Sequence, residues 1–142
     1  MRYAAFISYN HRDRHMAAWL HRALETYRFP KRLQGRPTAI GPLAAKLPPI
    51  FQDREELAAS SDLAASVREA LEQAHSLIVI CSPDGARSRW VNEEIRSFTA
   101  LGRRDRIQCL IVSGEPNPSR APAGDPAQEC LPPALFEGSG SE

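Results

Sequence analysis

Trp90 and Glu94 stand four residues apart in Ser88-Arg89-Trp90-Val91-Asn92-Glu93-Glu94-Ile95. On a helix that spacing puts an indole and a carboxylate on one face, a turn apart. A flat aromatic wall beside a carboxylate suits a sugar or a nucleoside. The carboxylate can accept hydrogen bonds from ribose hydroxyls and stabilise the oxocarbenium-like centre formed as a glycosidic bond breaks. Glu93 is a poorer candidate, because neighbouring residues project about 100° apart around a helix. Spacing by itself still favours the plainer reading, a core Trp90 and a solvated Glu94. Asp53 is a further carboxylate, closing a short apolar run. No GxGxxG, GxxxxGK[ST] or GxSxG signature is present, so neither a phosphate-cradling loop nor a nucleophile elbow is available. His11, His15, His21 and His75 lack partners at zinc spacing. No metal is therefore expected, and His15 and His21 read as solvated.

Such side chains need elements to hold them. Tyr3-Ala4-Ala5-Phe6-Ile7-Ser8 reads as a buried strand. Asp13 is placed to cap a helix whose apolar positions Met16, Trp19, Leu20, Ala23, Leu24 and Tyr27 recur at helical spacing. Residues 28–47 are basic and broken by proline and glycine, which predicts a loop. Pro49–Gln52 is a brief strand ending at Asp53. Asp62 can cap a second helix with Leu63, Val67, Ala70, Leu71 and Ala74 inward. Ser76–Cys81 is apolar almost throughout, as a parallel strand covered on both faces requires. Ser88 can cap a third helix with Val91, Ile95 and Phe98 inward, closed by Gly102, and Ile107–Val112 is a fourth strand. This β-α-β-α-β-α-β order predicts an α/β fold, a doubly wound parallel sheet with right-handed crossovers. Ligands of such sheets bind beyond the carboxyl ends of the strands. Here those places are Ser8–Asp13, Asp53–Ser61, Ser82–Trp90 and the residues after Val112.

The 142 residues fit one domain. Three cysteines, Cys81, Cys109 and Cys130, are too few for a disulfide scaffold, and no apolar run approaches the roughly 20 residues of a membrane span. The first residues show no signal-peptide layout, so a reduced, cytoplasmic chain is expected. The net charge of +1 hides an asymmetry, since residues 1–50 carry nine basic and two acidic side chains. Arg22, Arg28, Lys31, Arg32, Arg36 and Lys46 form the excess. With little aromatic interleaving beyond Tyr27 and Phe29, they read as a solvated surface and nucleic acid is disfavoured. Six of the twelve prolines lie after residue 113, which excludes a central strand or long helix there. The ordered part is expected to span residues 1–113, with 114–142 an irregular tail.

Three segments together resemble a known family. Phe6-Ile7-Ser8-Tyr9 is similar to the first conserved box of Toll/interleukin-1 receptor (TIR) domains. Phe51-Gln52-Asp53-Arg54-Glu55-Glu56-Leu57 resembles the family's second strand and the start of its BB loop. Ile80-Cys81-Ser82-Pro83, followed by Ser88 to Ile95, resembles its third strand and the S-x-W-x-x-x-E helix of its enzymatic members. The resemblance implies a flavodoxin-like sheet and cleavage of NAD⁺ at the nicotinamide–ribose bond. NAD⁺ would be substrate, with no separate cofactor, and the product ADP-ribose or a cyclic isomer. It places the catalytic carboxylate at Glu94, beside Trp90, with Ser8, Tyr9, Asn10, Asp53, Arg54 and Leu57 lining the nucleotide site. It also implies homotypic self-association with other TIR domains and a role in bacterial defence or cell-death signalling.

Two features depart from the family pattern. Ala58-Ala59-Ser60-Ser61 stands where many enzymatic members have glycine, which implies a stiffer BB loop. The usual fifth strand and last helix are not legible after Ser113, as in a domain with a truncated end. Two other classes fit the framework. One is a non-catalytic TIR–TIR scaffold, distinguished by releasing no nicotinamide from NAD⁺ when assembled. The other is a phosphoacceptor receiver domain using Asp53, which the residues Ser8-Tyr9-Asn10 disfavour by supplying no acid for Mg²⁺.

Overall fold

The computed structural model describes residues 1–39, 41–52, 61–118 and 124–137. Strand β1 (Tyr3–Ser8) leads through a 3-10 turn at His11–Asp13 into helix α1 (Arg14–Thr26). The basic segment that follows is not wholly loop. It holds a 3-10 turn at Lys31–Leu33 and a small antiparallel ribbon of β2 (Pro37–Thr38) and β3 (Gly41–Pro42). Then come β4 (Ile50–Gln52), α2 (Ser61–Glu72), β5 (Ala74–Cys81), α3 (Pro83–Ala86), α4 (Arg89–Ala100) and β6 (Ile107–Ile111). The main sheet has the order β4-β1-β5-β6, every pair parallel. The connections leave β1 toward one edge and return to β5 on its other side. The topological switch point therefore lies between β1 and β5, as in a flavodoxin-like sheet.

Alternation along β1 and β5 feeds two cores. Phe6, Leu77 and Val79 pack with Val67 and Leu71 of α2 and Val91, Ile95 and Phe98 of α4. Ala5, Ile7 and Ile80 pack on the opposite face with Ala17, Leu20 and Leu24 of α1. Each fully buried aliphatic or aromatic side chain contributes about 1.5–3 kcal/mol.

Helix α1 sits differently from the sequence expectation. Met16, Trp19 and Tyr27 were assigned to its inner face, yet all three are exposed, Trp19 at 57%. The inner face is instead Ala17, Leu20 and Leu24, and the helix stops at Thr26, leaving Tyr27 extended. Polar bonds explain the rotation. Glu25 Oε2 accepts from the Ile50 backbone N–H at 2.9 Å, and His21 Nε2 donates to the Ile50 carbonyl at 2.9 Å. Those groups belong to the sheet's edge strand, and α1 occupies them. His21 is thus a strand clamp rather than a solvated histidine.

Caps follow the same logic. Ser88 accepts from Val91 N at the start of α4, and Ser82 accepts from Gly85 N at the start of α3. Asp13 occupies the N-cap position of α1 but makes no cap hydrogen bond with its side chain. Its Oδ2 accepts instead from Ser82 Oγ at 2.5 Å. Asp62 falls within α2, and Ala74 opens β5 instead of closing that helix.

The described residues after Ser113 are irregular yet packed. Among the described ones there is no long helix, only 3-10 turns at Pro126–Gln128 and Pro133–Phe136. They are nevertheless packed into the domain. Cys130 and Ala134 are buried in the core formed by α2, α4 and the sheet. Ala134 N donates to Asn92 Oδ1 at 2.9 Å, Arg104 donates to the Leu135 carbonyl at 2.7 Å, and Arg96 pairs with Glu137. Proline rules out regular structure but not burial.

Candidate active site

Ser8 closes β1 at the switch point, opposite Val79 of β5. Its hydroxyl donates to Glu94 Oε1 at 2.6 Å, and both residues are buried, Glu94 at 3% exposure. The carboxylate reaches this place because α4 packs Val91, Ile95 and Phe98 against the sheet, which turns position 94 inward. Glu93, a third of a turn away, is exposed and pairs with Arg89 at 3.0 Å. The two adjacent glutamates therefore occupy different environments, as helical geometry demands.

Trp90 lies one turn before Glu94, partly buried against the same core. Together with Glu93, Glu94 and Ser97 it forms one wall of an open cleft whose other wall is Val67, Arg68 and Leu71 of α2. The site offers an indole face, a buried carboxylate at the base and an exposed guanidinium opposite. The α2 wall escaped the sequence reading, although Val67 and Leu71 had been placed inward and Arg68 stands between them.

The start of α4 is held on three sides. The Asn92 amide donates to the carbonyls of Ala86 (3.1 Å) and Ser88 (2.8 Å) and accepts from Ala134 N. The Asp13–Ser82 bond ties the loop after β1 to the end of β5. Neither the role of Asn92 nor the Asp13–Ser82 pairing was foreseen from sequence, where Asp13 stood as a helix cap, since only the fold brings these partners together.

Of the expected site residues, Ser8, Trp90 and Glu94 come together. Tyr9 does not join them. Its ring packs in the α1-side core, with its hydroxyl 3.5 Å from Gln52 Nε2. Asn10 turns back on its own loop, Oδ1 accepting from Arg12 N at 3.0 Å. Asp53, Arg54 and Leu57, with the Ala58–Ser60 stretch, lie outside the described residues. Among the described residues no group of three or more His, Cys, Asp or Glu is placed to hold a metal, and no helix is long and apolar enough to cross a membrane.

Comparison with known proteins bears on the family. Residues 6–113 match the family model described as "Thoeris protein ThsB, TIR-like domain". The chain is 37% identical over 139 residues to a protein of Actinoplanes sp. (strain SE50/110) named NAD(+) hydrolase ApTIR. That match covers 95% of this chain and 18% of the relative, so the chain spans a small part of the relative's length. No solved structure matches. A parallel sheet with its switch point at Ser8, a helix presenting Glu94 there, and a family match over residues 6–113 lead to one conclusion: the chain belongs to the TIR-like domain family.

Proposed function

We propose that the chain hydrolyses NAD⁺ at the nicotinamide–ribose bond in the cleft between α2 and α4. The observation that carries this reading is the Ser8–Glu94 hydrogen bond, which fixes a buried carboxylate one turn from an indole at the sheet's ligand-binding end. The 37% identity to a protein named as an NAD⁺ hydrolase supports it.

The residues divide the work. Trp90 offers a face on which the nicotinamide or ribose ring stacks, orienting the glycosidic bond toward Glu94. Glu94 accepts hydrogen bonds from the ribose hydroxyls. As the bond to nicotinamide lengthens, its negative charge stabilises the positive charge growing on the ribose ring. The pyridinium takes the bonding electrons and departs as neutral nicotinamide, so no proton need be delivered to it. Water then adds to the ribose carbon and releases a proton to solvent, giving ADP-ribose. A cyclic isomer forms when a nucleophile of the adenine takes that water's place. Ser8 acts through Glu94 as a positioning residue, holding Oε1. Arg68, on the opposite wall of the cleft, supplies a positive charge for the pyrophosphate in this reading.

Self-association with other TIR domains, cytoplasmic location and a role in bacterial defence or cell-death signalling complete the proposal. They rest on family membership. The direct test is chromatography of concentrated, self-associated chain incubated with NAD⁺. Nicotinamide and ADP-ribose, or its cyclic isomer, should appear in equal amounts. Intact NAD⁺ under those conditions would refute the hydrolase reading and favour the scaffold.

A further inference from the structure

Helix α1 turns Ala17, Leu20 and Leu24 toward the sheet, so positions 15, 19, 22 and 26 lie on its opposite side. Trp19 stands there, with Met16 next to it and Tyr27 just past the helix end. All three are exposed, Trp19 and Tyr27 by more than half. The segment that follows folds back beside the helix end. Phe29 N donates to the Ala45 carbonyl at 2.8 Å, Gln34 Nε2 donates to the Phe29 carbonyl at 3.1 Å, and the Tyr27 and Phe29 rings meet edge to face. Arg28, Lys31, Arg32 and Arg36 project from this fold and Arg22 from the helix, every one exposed. Residues 1–50 hold only two carboxylates, and both are engaged internally, Asp13 with Ser82 and Glu25 with the Ile50 N–H. Among the described residues no carboxylate pairs with any of the five cations. Around α4 the pattern is the reverse, Arg87, Arg89 and Arg96 pairing with Asp84, Glu93 and Glu137.

We propose that this surface docks the chain on an anionic lipid membrane, with Trp19 and Tyr27 at headgroup level and the five cations against the lipid headgroup charges. Indole and phenol rings join an apolar body to a polar edge and favour the membrane–water boundary. A polybasic cluster is drawn to the negative potential of an anionic leaflet. With both nearby carboxylates engaged elsewhere, little opposes that attraction.

The shape of the surface favours lipid over nucleic acid. A bilayer face is broad and needs no pocket, which suits rings and cations standing out from a helix side and a folded loop. Single strands are held in a groove where successive bases stack on aromatic faces. Here the Tyr27 ring meets Phe29, and Trp19 lies about two helical turns away, too far for neighbouring bases to stack on both. Helix α1 covers one face of the sheet, and α2 and α4 cover the other. Docking through α1 therefore leaves the α2–α4 cleft turned away from the lipid. This surface does not depend on the reading of Glu94.

The test is cosedimentation of the 142-residue chain with vesicles of phosphatidylcholine alone or of phosphatidylcholine mixed with phosphatidylserine. The chain should pellet with the mixed vesicles, stay in solution with the neutral ones, and be released from the mixed ones by added salt. Trp19→Ala, a change at an exposed position, should weaken binding to mixed vesicles about 10-fold. Combined Arg28→Gln, Lys31→Gln and Arg32→Gln should weaken it about 100-fold, at about 5-fold for each cation. Combined Arg28→Lys and Arg32→Lys should bind like the parent, because charge rather than guanidinium geometry is being read. Each variant is compared after circular dichroism shows it folded. No pelleting with mixed vesicles, equal pelleting with neutral ones, or unchanged binding in the glutamine variant would overturn the proposal. Retention by a single-stranded oligonucleotide without pelleting on mixed vesicles would overturn it too, and assign the surface to nucleic acid.

Discussion

At the residue scale, two neighbouring glutamates differ in everything but name. Glu94 is buried and accepts from Ser8, whereas Glu93 is exposed and pairs with Arg89. A hydrogen bond to a charged group contributes about 1.5–3 kcal/mol, and each ~1.4 kcal/mol is a factor of ten in rate. If Ser8 holds Glu94 in its reactive orientation, Ser8→Ala should lower kcat for nicotinamide release by about 10- to 100-fold. The KM for NAD⁺ should change much less, because Ser8 acts through Glu94. Steady-state kinetics separate the two, and an unchanged kcat would remove Ser8 from the mechanism. The Trp90–Glu94 pairing was legible from helical spacing. Spacing had favoured a solvated Glu94, but the residue is buried, because Val91, Ile95 and Phe98 pack on the sheet and turn position 94 inward. Tyr9 and Asn10 turn away from Glu94 for a common reason. Both follow the first strand, but side-chain direction at a strand end depends on local turn bonds that the sequence does not display.

At the scale of elements, helix α4 is positioned by one amide. Asn92 bonds the carbonyls before the helix and the chain near residue 134, at 7% exposure. Asn92→Ala would take this partner from two buried backbone groups, the Ala86 carbonyl and the Ala134 N–H, each worth about 1–3 kcal/mol, while the Ser88 carbonyl keeps its bond from the residue 92 N–H. Partial relaxation makes a net loss of about 2–4 kcal/mol the expected result, read as a lower urea midpoint with little change in slope. A loss under 1 kcal/mol would mean that α4 is held by packing alone. Helix α1 teaches the complementary lesson. Its existence followed from apolar periodicity, but two overlapping faces satisfied that pattern. The choice fell to His21 and Glu25, which bond the backbone of Ile50, a residue 29 positions beyond His21. Glu25→Ala should therefore cost about 1–2 kcal/mol and increase amide exchange in β4, whereas Trp19→Ala, at an exposed position, should cost little.

At the scale of the whole molecule, the α/β alternation was readable and the extent of the packed domain was not. Proline density after residue 113 argued correctly against regular elements. It could not reveal that Cys130 and Ala134 close the core over α4. A chain ending at Ser113 should therefore melt well below the 142-residue chain and bind a hydrophobic dye, and equal melting temperatures would contradict that closure. Stability should also vary with pH through His75. Burial, followed by the charges of Arg106 and Arg103, lowers its pKa from the ordinary 6.5. Between the folded and unfolded values the unfolded chain binds more protons, so stability falls as pH drops below about 6.5. His75→Gln should flatten that part of the melting-temperature profile. The account as a whole rests on one cleft and one carboxylate. Its most direct test is nicotinamide release from NAD⁺ by matched, self-associated samples of the chain, Glu94→Gln and Glu93→Gln, each confirmed folded by circular dichroism. Glu94→Gln should lose at least about 100-fold in kcat while Glu93→Gln keeps most of it. Equal losses from both, or full activity in Glu94→Gln, would contradict the assignment.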